Sequence, residues 1–397
     1  MSTLILNIEE PHPQPARGFA LWQLGFRPFY LLASTFSALS VLLWSLQFSG
    51  WLGHAYLAGP LWHAHEMLFG YGLAVVVGFL FTAGRNWSGQ PTPTGWPLAL
   101  LALLWVAGRV LVLTPFGMAA AIVNTAFPLA AAAGLAVPLV RAKNRRNYFF
   151  VGLLVAMGAA QLGLHLAQLD VITLPGWVGV RLALDMMLFI MAVMGGRVIP
   201  MFTNNGVPGA KARRHETLER LALGSVLALI AADLAGVHGA PLAALLLLCT
   251  AAHAARLTLW QPWRTLRTPL VWVLHAAYAW IVLHLALRML AELGWILPSV
   301  ATHALTAGAI GGLTLGMMTR TTRGHTARPL LADRFDVACY LCLLIAALVR
   351  VGVPLVAPGA SAGAALVSGW LWACGFALFT LRYAPMLLRP RLDGKPG

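Results

Sequence analysis

Apolar runs of roughly 20 residues, each long enough for a helix to cross a hydrocarbon core of ~30 Å, fill almost the whole of this chain. They fall at about 28–48, 62–84, 97–114, 117–140, 148–169, 177–199, 217–237, 240–259, 268–291, 298–319, 335–356 and 362–387. Only 10% of the residues are charged and 59% are hydrophobic, against roughly 25% charged in a soluble chain. Mean hydropathy is +0.78, so a water-facing surface is excluded. The pattern predicts an all-α, polytopic membrane bundle of about 12 transmembrane helices. It divides into an N-terminal cytoplasmic segment (1–27), one transmembrane domain (28–387) and a short cytoplasmic tail (388–397).

Charge sets the expected orientation. The formal net charge is +15, but the cations form no patch of the kind that grips nucleic acid. Arg141, Lys143, Arg145 and Arg146 follow the fourth run, Lys211, Arg213 and Arg214 the sixth, Arg264 and Arg267 the eighth. Arg320, Arg323 and Arg328 follow the tenth, and Arg389, Arg391 and Lys395 close the chain. Intervening loops are nearly free of Lys and Arg, apart from Arg109, Arg288 and Arg350 at helix ends. The positive-inside rule puts the basic loops and both termini in the cytoplasm, facing anionic lipid. The N-terminal stretch, with Pro11, Pro13 and Pro15, lacks a signal-peptide pattern and reads as a disordered lead-in.

With topology in hand the histidines sort by depth. His63 and His65 open the second run, His165 nears the outer end of the fifth, His284 that of the ninth, and His303 lies just inside the tenth. These five occupy one layer in the outer half, where a buried ionisable group faces the bundle interior or a cavity. Arg181 and Asp185, four apart on the sixth run, reach that layer and can pair. His253 and His275 fall toward the cytoplasm, His12, His215 and His325 in cytoplasmic segments, and His54 and His238 in outer loops. Imidazoles on separate helices suit a metal or haem iron, although a buried histidine also serves as a plain hydrogen-bonding residue. Candidate metal ligands are His63, His65, His284 and His303.

Trp62-His63-Ala64-His65-Glu66-Met67 is the sharpest segment. On a helix His63 and His65 point about 200° apart, so one could serve a haem and the other a second metal, or one could simply hydrogen-bond. Glu66 is either an orienting or proton-transferring carboxylate or a solvated acid suiting a helix N-terminus. From His65, Gly70, Gly78 and Arg85 follow at offsets matched by Gly308, Gly316 and Arg323 after His303. The match suggests internal repetition and equivalent positions for the two histidines. Met186, Met187, Met191, Met194, Met317 and Met318 could pass Cu(I) between thioethers, or pack as core, the reading also given to Cys339 and Cys342. At the cytoplasmic ends Arg85-Asn86, Arg197 with Asn204-Asn205, and Arg320 to Arg323 could meet a carboxylate or phosphate, or snorkel as topology arginines.

The segments LWQLGFRPFYLLAS (from Leu21), WHAHEMLFGYG (from Trp62), GFLFTAGRNWSGQPTPTG (from Gly78), GGRVIPMFTNN (from Gly195) and GMMTRTTRGHTARPL (from Gly316) resemble the NnrS family of bacterial membrane proteins over almost the whole chain. The resemblance implies a haem- and copper-containing protein of the bacterial cytoplasmic membrane, linked to nitric oxide metabolism, denitrification and tolerance of nitrosative stress. The haem that it implies is of b-type, and no electron-donor domain is visible, since neither a c-type haem motif nor a soluble copper domain is present. Nitric oxide and membrane lipid are the implied partners, and electrons, where needed, come from quinol or a donor protein. His65, His303, His165 and Arg181 are then the candidate cofactor-binding residues, and Glu66 and Asp185 the candidate catalytic ones. The haem–copper oxidase core also has twelve helices with outer-side histidines, but this chain has no His-His pair and carries Arg181 and Asp185 where a copper ligand would stand. The class is therefore either a redox or gas-handling oxidoreductase, or a transporter of a metal, haem or nitrogen-oxide-related solute.

Overall fold

Inside a bilayer a backbone N–H or C=O finds a partner only within its own segment, so apolar runs must become helices. The computed structural model describes residues 18–53, 56–57 and 59–395. The proline-bearing lead-in with His12, and the loop residue His54, lie outside the described residues. Every regular element described is helical. The order is α1 (Phe26–Phe48), α2 (Gly59–Ser88), α3 (Gly95–Leu111), α4 (Gly117–Arg141), α5 (Tyr148–Gln168) and α6 (Trp177–Gly206). Then come α7 (Glu216–Leu234), α8 (Ala240–Leu259), α9 (Pro269–Glu292), α10 (Pro298–His325), α11 (Arg334–Val356) and α12 (Ser361–Leu388).

Ten of these helices are long and apolar enough to span a membrane. The other two explain themselves. Helix α3 has 17 residues, the short end of spanning length, and α7 carries Glu216, Glu219, Arg220 and Asp233. Helices α2, α6 and α10 run past their apolar stretches into polar turns, Arg85 to Ser88, Met201 to Gly206 and Arg320 to His325. The basic loops gather at one end of the bundle. There Asn144 donates to the Trp87 carbonyl, Lys211 N–H to Gln261 and Leu392 N–H to the Thr326 carbonyl.

Successive helices pack side by side and α12 closes on α1. The most enclosed apolar windows belong to α2 (89% buried) and α10 (78%), followed by α6 and α9, so the helices at the heart of the bundle are those that carry the polar motifs. Between α2, α6 and α10 lies an apolar cavity of about 50 Å³, lined in part by Val76, Met191, Met194, Leu313 and Met317.

Two of the inner helices share an irregularity. Helix α2 widens into a π-helical stretch at Glu66–Gly72 and α10 at Ala304–Ile310, seven residues each. Each stretch begins directly after a histidine, His65 or His303, the two positions that the sequence offsets pair. Such stretches sit disproportionately at functional sites, because the changed hydrogen-bond register re-aims the side chains before and after them.

Candidate functional site

The half of the bundle away from the basic loops holds three polar clusters, one beside each of α2, α6 and α10. Histidine depth anticipates the layer. The partners within it are another matter.

Beside α2, His65 and Glu66 are wholly buried. Glu66 Oε1 accepts from His65 Nδ1 at 2.6 Å and from Arg109 Nη1 at 2.8 Å. An ionised carboxylate has no proton to give, so His65 carries its proton on Nδ1 and turns the lone pair of Nε2 outward. That lone pair meets His165 Nε2 at 3.1 Å and Gln161 Nε2 at 3.2 Å. His165 Nδ1 lies 3.0 Å from the Tyr56 hydroxyl. Arg109 also donates to Asn124 Oδ1 and lies near the rings of Phe36 and Trp105. Its approach depends on Gly70, where a Cβ would stand 2.6 Å from Arg109 Nη1. Helices α2, α3 and α5, with Tyr56 from the loop before α2, thus build one hydrogen-bonded chain, Tyr56–His165–His65–Glu66–Arg109, to which α4 adds Asn124. Gln161 Oε1 and Arg109 Nε are buried in it without partners. Glu66 is no solvated helix-start acid.

Beside α6, Asp185 does not pair with Arg181, which is exposed. Its partner is Arg288 of α9, at 3.3 Å, and the same guanidinium holds Asp233 of α7 at 2.5 and 2.6 Å. Helical spacing allowed the Arg181–Asp185 pair, but tertiary packing brings a better desolvated arginine from across the bundle. His284, one turn from Arg288, donates Nδ1–H to the Ala301 carbonyl at 2.7 Å.

Beside α10, His303 is half-buried and donates Nδ1–H to the Ser299 carbonyl at 2.6 Å, leaving Nε2 as a lone pair. His63 of α2 and Arg350 of α11 lie within its electrostatic reach, and His63 stacks on Trp44 with ring centroids 5.0 Å apart. His65 and His303, which the sequence offsets pair, therefore have separate hydrogen-bond partners. Opposed directions on α2 send His65 to His165 and His63 toward His303. Nor do His63, His65, His284 and His303 form one metal shell: among the described residues no three His, Cys, Asp or Glu side chains converge as a metal site.

The histidines nearer the basic end behave differently. His253 Nε2 donates to the Ala222 carbonyl and Nδ1 accepts from Tyr278 at 2.6 Å. Tyr278 in turn accepts from Arg256, which forks onto Glu219 at 2.8 and 2.7 Å. Each of these groups is satisfied within the protein, as a structural clamp requires. His275 meets Thr203 at 2.8 Å. Arg197 is held by Asn147, Asn204 by the Ala212 backbone, and Arg323 by Asp333, Asp336 and Tyr383.

A model of the family described as NnrS protein matches residues 20–391. The chain belongs to the NnrS family. No curated protein matches it. The NnrS match covers all twelve helices, so each of the three clusters lies inside the family's extent. Membership fits a membrane protein related to nitric oxide. Sequence reasoning reached His65, Glu66, His165, Asp185 and His303 in this NnrS chain but missed Tyr56, Asn124, Gln161 and Asp233. It also assigned no role to Arg109, Arg288 and Arg350. A usable signal was present for these three: they are the basic residues that break the loop-charge pattern, and each stands beside one cluster. Asn124 and Gln161 were legible as amides within apolar runs.

Proposed function

We propose that this NnrS-family protein is a haem- and copper-binding protein of the bacterial cytoplasmic membrane, acting in nitric oxide metabolism or resistance to nitrosative stress. The basic loops and both termini face the cytoplasm in this reading, which sets the three clusters in the outer half. The observation that carries it is the buried approach of two imidazole Nε2 atoms, His65 and His165, at 3.1 Å.

Two metal–imidazole bonds of about 2 Å each span about 4 Å, so a slight opening would admit a bare ion between these nitrogens. A macrocycle does not fit there, because Gln161 and Asn124 fill the space around the pair. Imidazole suits copper, and the unpartnered Gln161 Oε1 offers a third donor. Copper held by His65 and His165 would supply a one-electron couple and a coordination position for nitric oxide. The chain supplies the rest. Glu66 fixes the tautomer and orientation of His65, Arg109 holds the Glu66 carboxylate in place, and the wall of Phe69, Phe36 and Trp105 keeps water out.

Haem suits the other imidazole set. His303 has its Nδ1–H committed to a carbonyl, which leaves its Nε2 as a lone pair, His63 and Arg350 lie within its electrostatic reach, and the Arg350 guanidinium suits a carboxylate. The test is an absorption spectrum of detergent-purified protein, oxidised and reduced, with and without nitric oxide, alongside iron and copper analysis. His65→Ala and His165→Ala are expected to lose copper and keep the Soret band, while His303→Ala loses the Soret band and keeps copper. Protein without either cofactor, moving a solute across vesicles instead, would overturn the reading in favour of transport.

A further inference from the structure

Arg27 is wholly buried in the first turn of α1. Its Nη1 donates to the carbonyls of Met386, Leu387 and Arg389 at 3.4, 3.0 and 2.7 Å, closing the last turn of α12. Its Nε and Nη2 have no partner among the described residues. These two form the edge with which a guanidinium forks onto a carboxylate or phosphate. Two other arginines use that edge fully: Arg256 on Glu219 at 2.8 and 2.7 Å, and Arg391 on Asp393 at 2.9 and 2.7 Å.

The surroundings of Arg27 are cationic. Arg328 and Arg391 lie within its electrostatic reach, and His325 is near Arg27, Arg85 and Arg391. The His325 ring packs 5.6 Å from Phe26. One turn along the same face of α10, the buried Thr322 hydroxyl also has no partner among the described residues. Among the described residues the carboxylates of this region are taken, Asp393 by Arg391, Asp333 by Arg323 and Arg382, Asp336 by Arg323 and Tyr383. Topology arginines ordinarily reach out to water, whereas this one is sealed from it. A buried guanidinium with a free fork, ringed by like charges, calls for an anion with several oxygens.

We propose that the basic end of the bundle holds an oxyanion site, with the Nε/Nη2 edge of Arg27 as its buried donor and Arg328 as its second cation. The group bound is of the phosphate class, either free inorganic phosphate or the phosphate of an anionic lipid headgroup.

The full chain in detergent is titrated with inorganic phosphate against chloride at matched ionic strength, following thermal unfolding. In parallel, protein from phosphatidylglycerol vesicles is examined by native mass spectrometry. Wild type is expected to be stabilised by phosphate, with half-saturation rising about tenfold or more in Arg328→Gln. Arg27→Lys keeps the charge but has no fork, and is expected to lose the effect while its helical circular dichroism is retained. Lack of a phosphate effect, with one phosphatidylglycerol retained by wild type and lost by Arg328→Gln, would assign the site to a headgroup. Neither phosphate stabilisation nor lipid retention in wild type, or equal values in wild type and Arg328→Gln, would overturn the proposal.

Discussion

Helices α2 and α10 share a backbone device and use it for different ends. In both, a histidine precedes a seven-residue π-helical stretch, and Gly and Arg recur at equal offsets. In α2 the histidine is buried, its Nδ1 backed by a carboxylate that an arginine holds in place. In α10 the histidine is half-buried and its Nδ1 is backed by a main-chain carbonyl. Glu66 follows His65, where Ala304 follows His303. A carboxylate raises the donor strength of the imidazole that it orients more than a carbonyl does. The repeat therefore supplies position, and one residue beside it sets the electronic character of each imidazole.

Breaking the two arginines tests this most severely. Removing Arg109 leaves Glu66 charged in a dry site with only His65 as partner, and losing one member of a buried pair costs about 3–5 kcal/mol. Arg350 of α11 lies half-exposed beside α10, and among the described residues no carboxylate pairs with it. Arg109→Leu is expected to lower stability by that amount in detergent unfolding, and Arg350→Leu by less than about 1 kcal/mol. Equal losses in the two variants would erase the distinction between the sites.

A subtler change sharpens the same contrast. Glu66→Gln keeps the shape but lets the amide present either an oxygen or an NH₂ to Nδ1, so the tautomer of His65 is no longer dictated. Loss of the carboxylate that orients a metal-binding imidazole weakens metal binding about 10–100-fold. Competition with a Cu(I) chelator measures it. Unchanged affinity in Glu66→Gln would mean that the carboxylate holds Arg109 rather than tuning His65.

The fold was legible because bilayer physics leaves little choice: a run of apolar residues of spanning length must be a helix, and loop charge orders the ends. Depth could also be counted, which is why the histidine layer was visible. Partnership across helices was not, since rotation about each axis and the choice of neighbour depend on packing. Arg181 and Asp185 have ideal helical spacing, yet Arg288 reaches Asp185 from α9. His65 and His303 match in offset, yet α5 supplies the imidazole that meets His65. Arg27 shows the same limit from the other side. Nothing in its sequence neighbourhood announces that half of its guanidinium caps α12 while the other half has no partner among the described residues.

The smallest expected effect bears on how the α2 chain of hydrogen bonds can serve both metal-free and metal-bound protein. Without metal, Tyr56 donates to His165 Nδ1, His165 Nε2–H donates to His65 Nε2, and His65 Nδ1–H donates to Glu66. With metal on both Nε2 atoms, the His165 proton must sit on Nδ1, and the Tyr56 hydroxyl turns to accept it. A hydroxyl can play both parts because its hydrogen rotates. Tyr56→Phe should therefore cost about 1 kcal/mol in both states, leaving Cu(I) affinity nearly unchanged while stability falls. At α10 the corresponding bond is made by a main-chain carbonyl, so Ser299→Ala should alter neither quantity. A change in Cu(I) affinity of about tenfold, equivalent to about 1.4 kcal/mol, in Tyr56→Phe would show that the hydroxyl serves one protonation state alone.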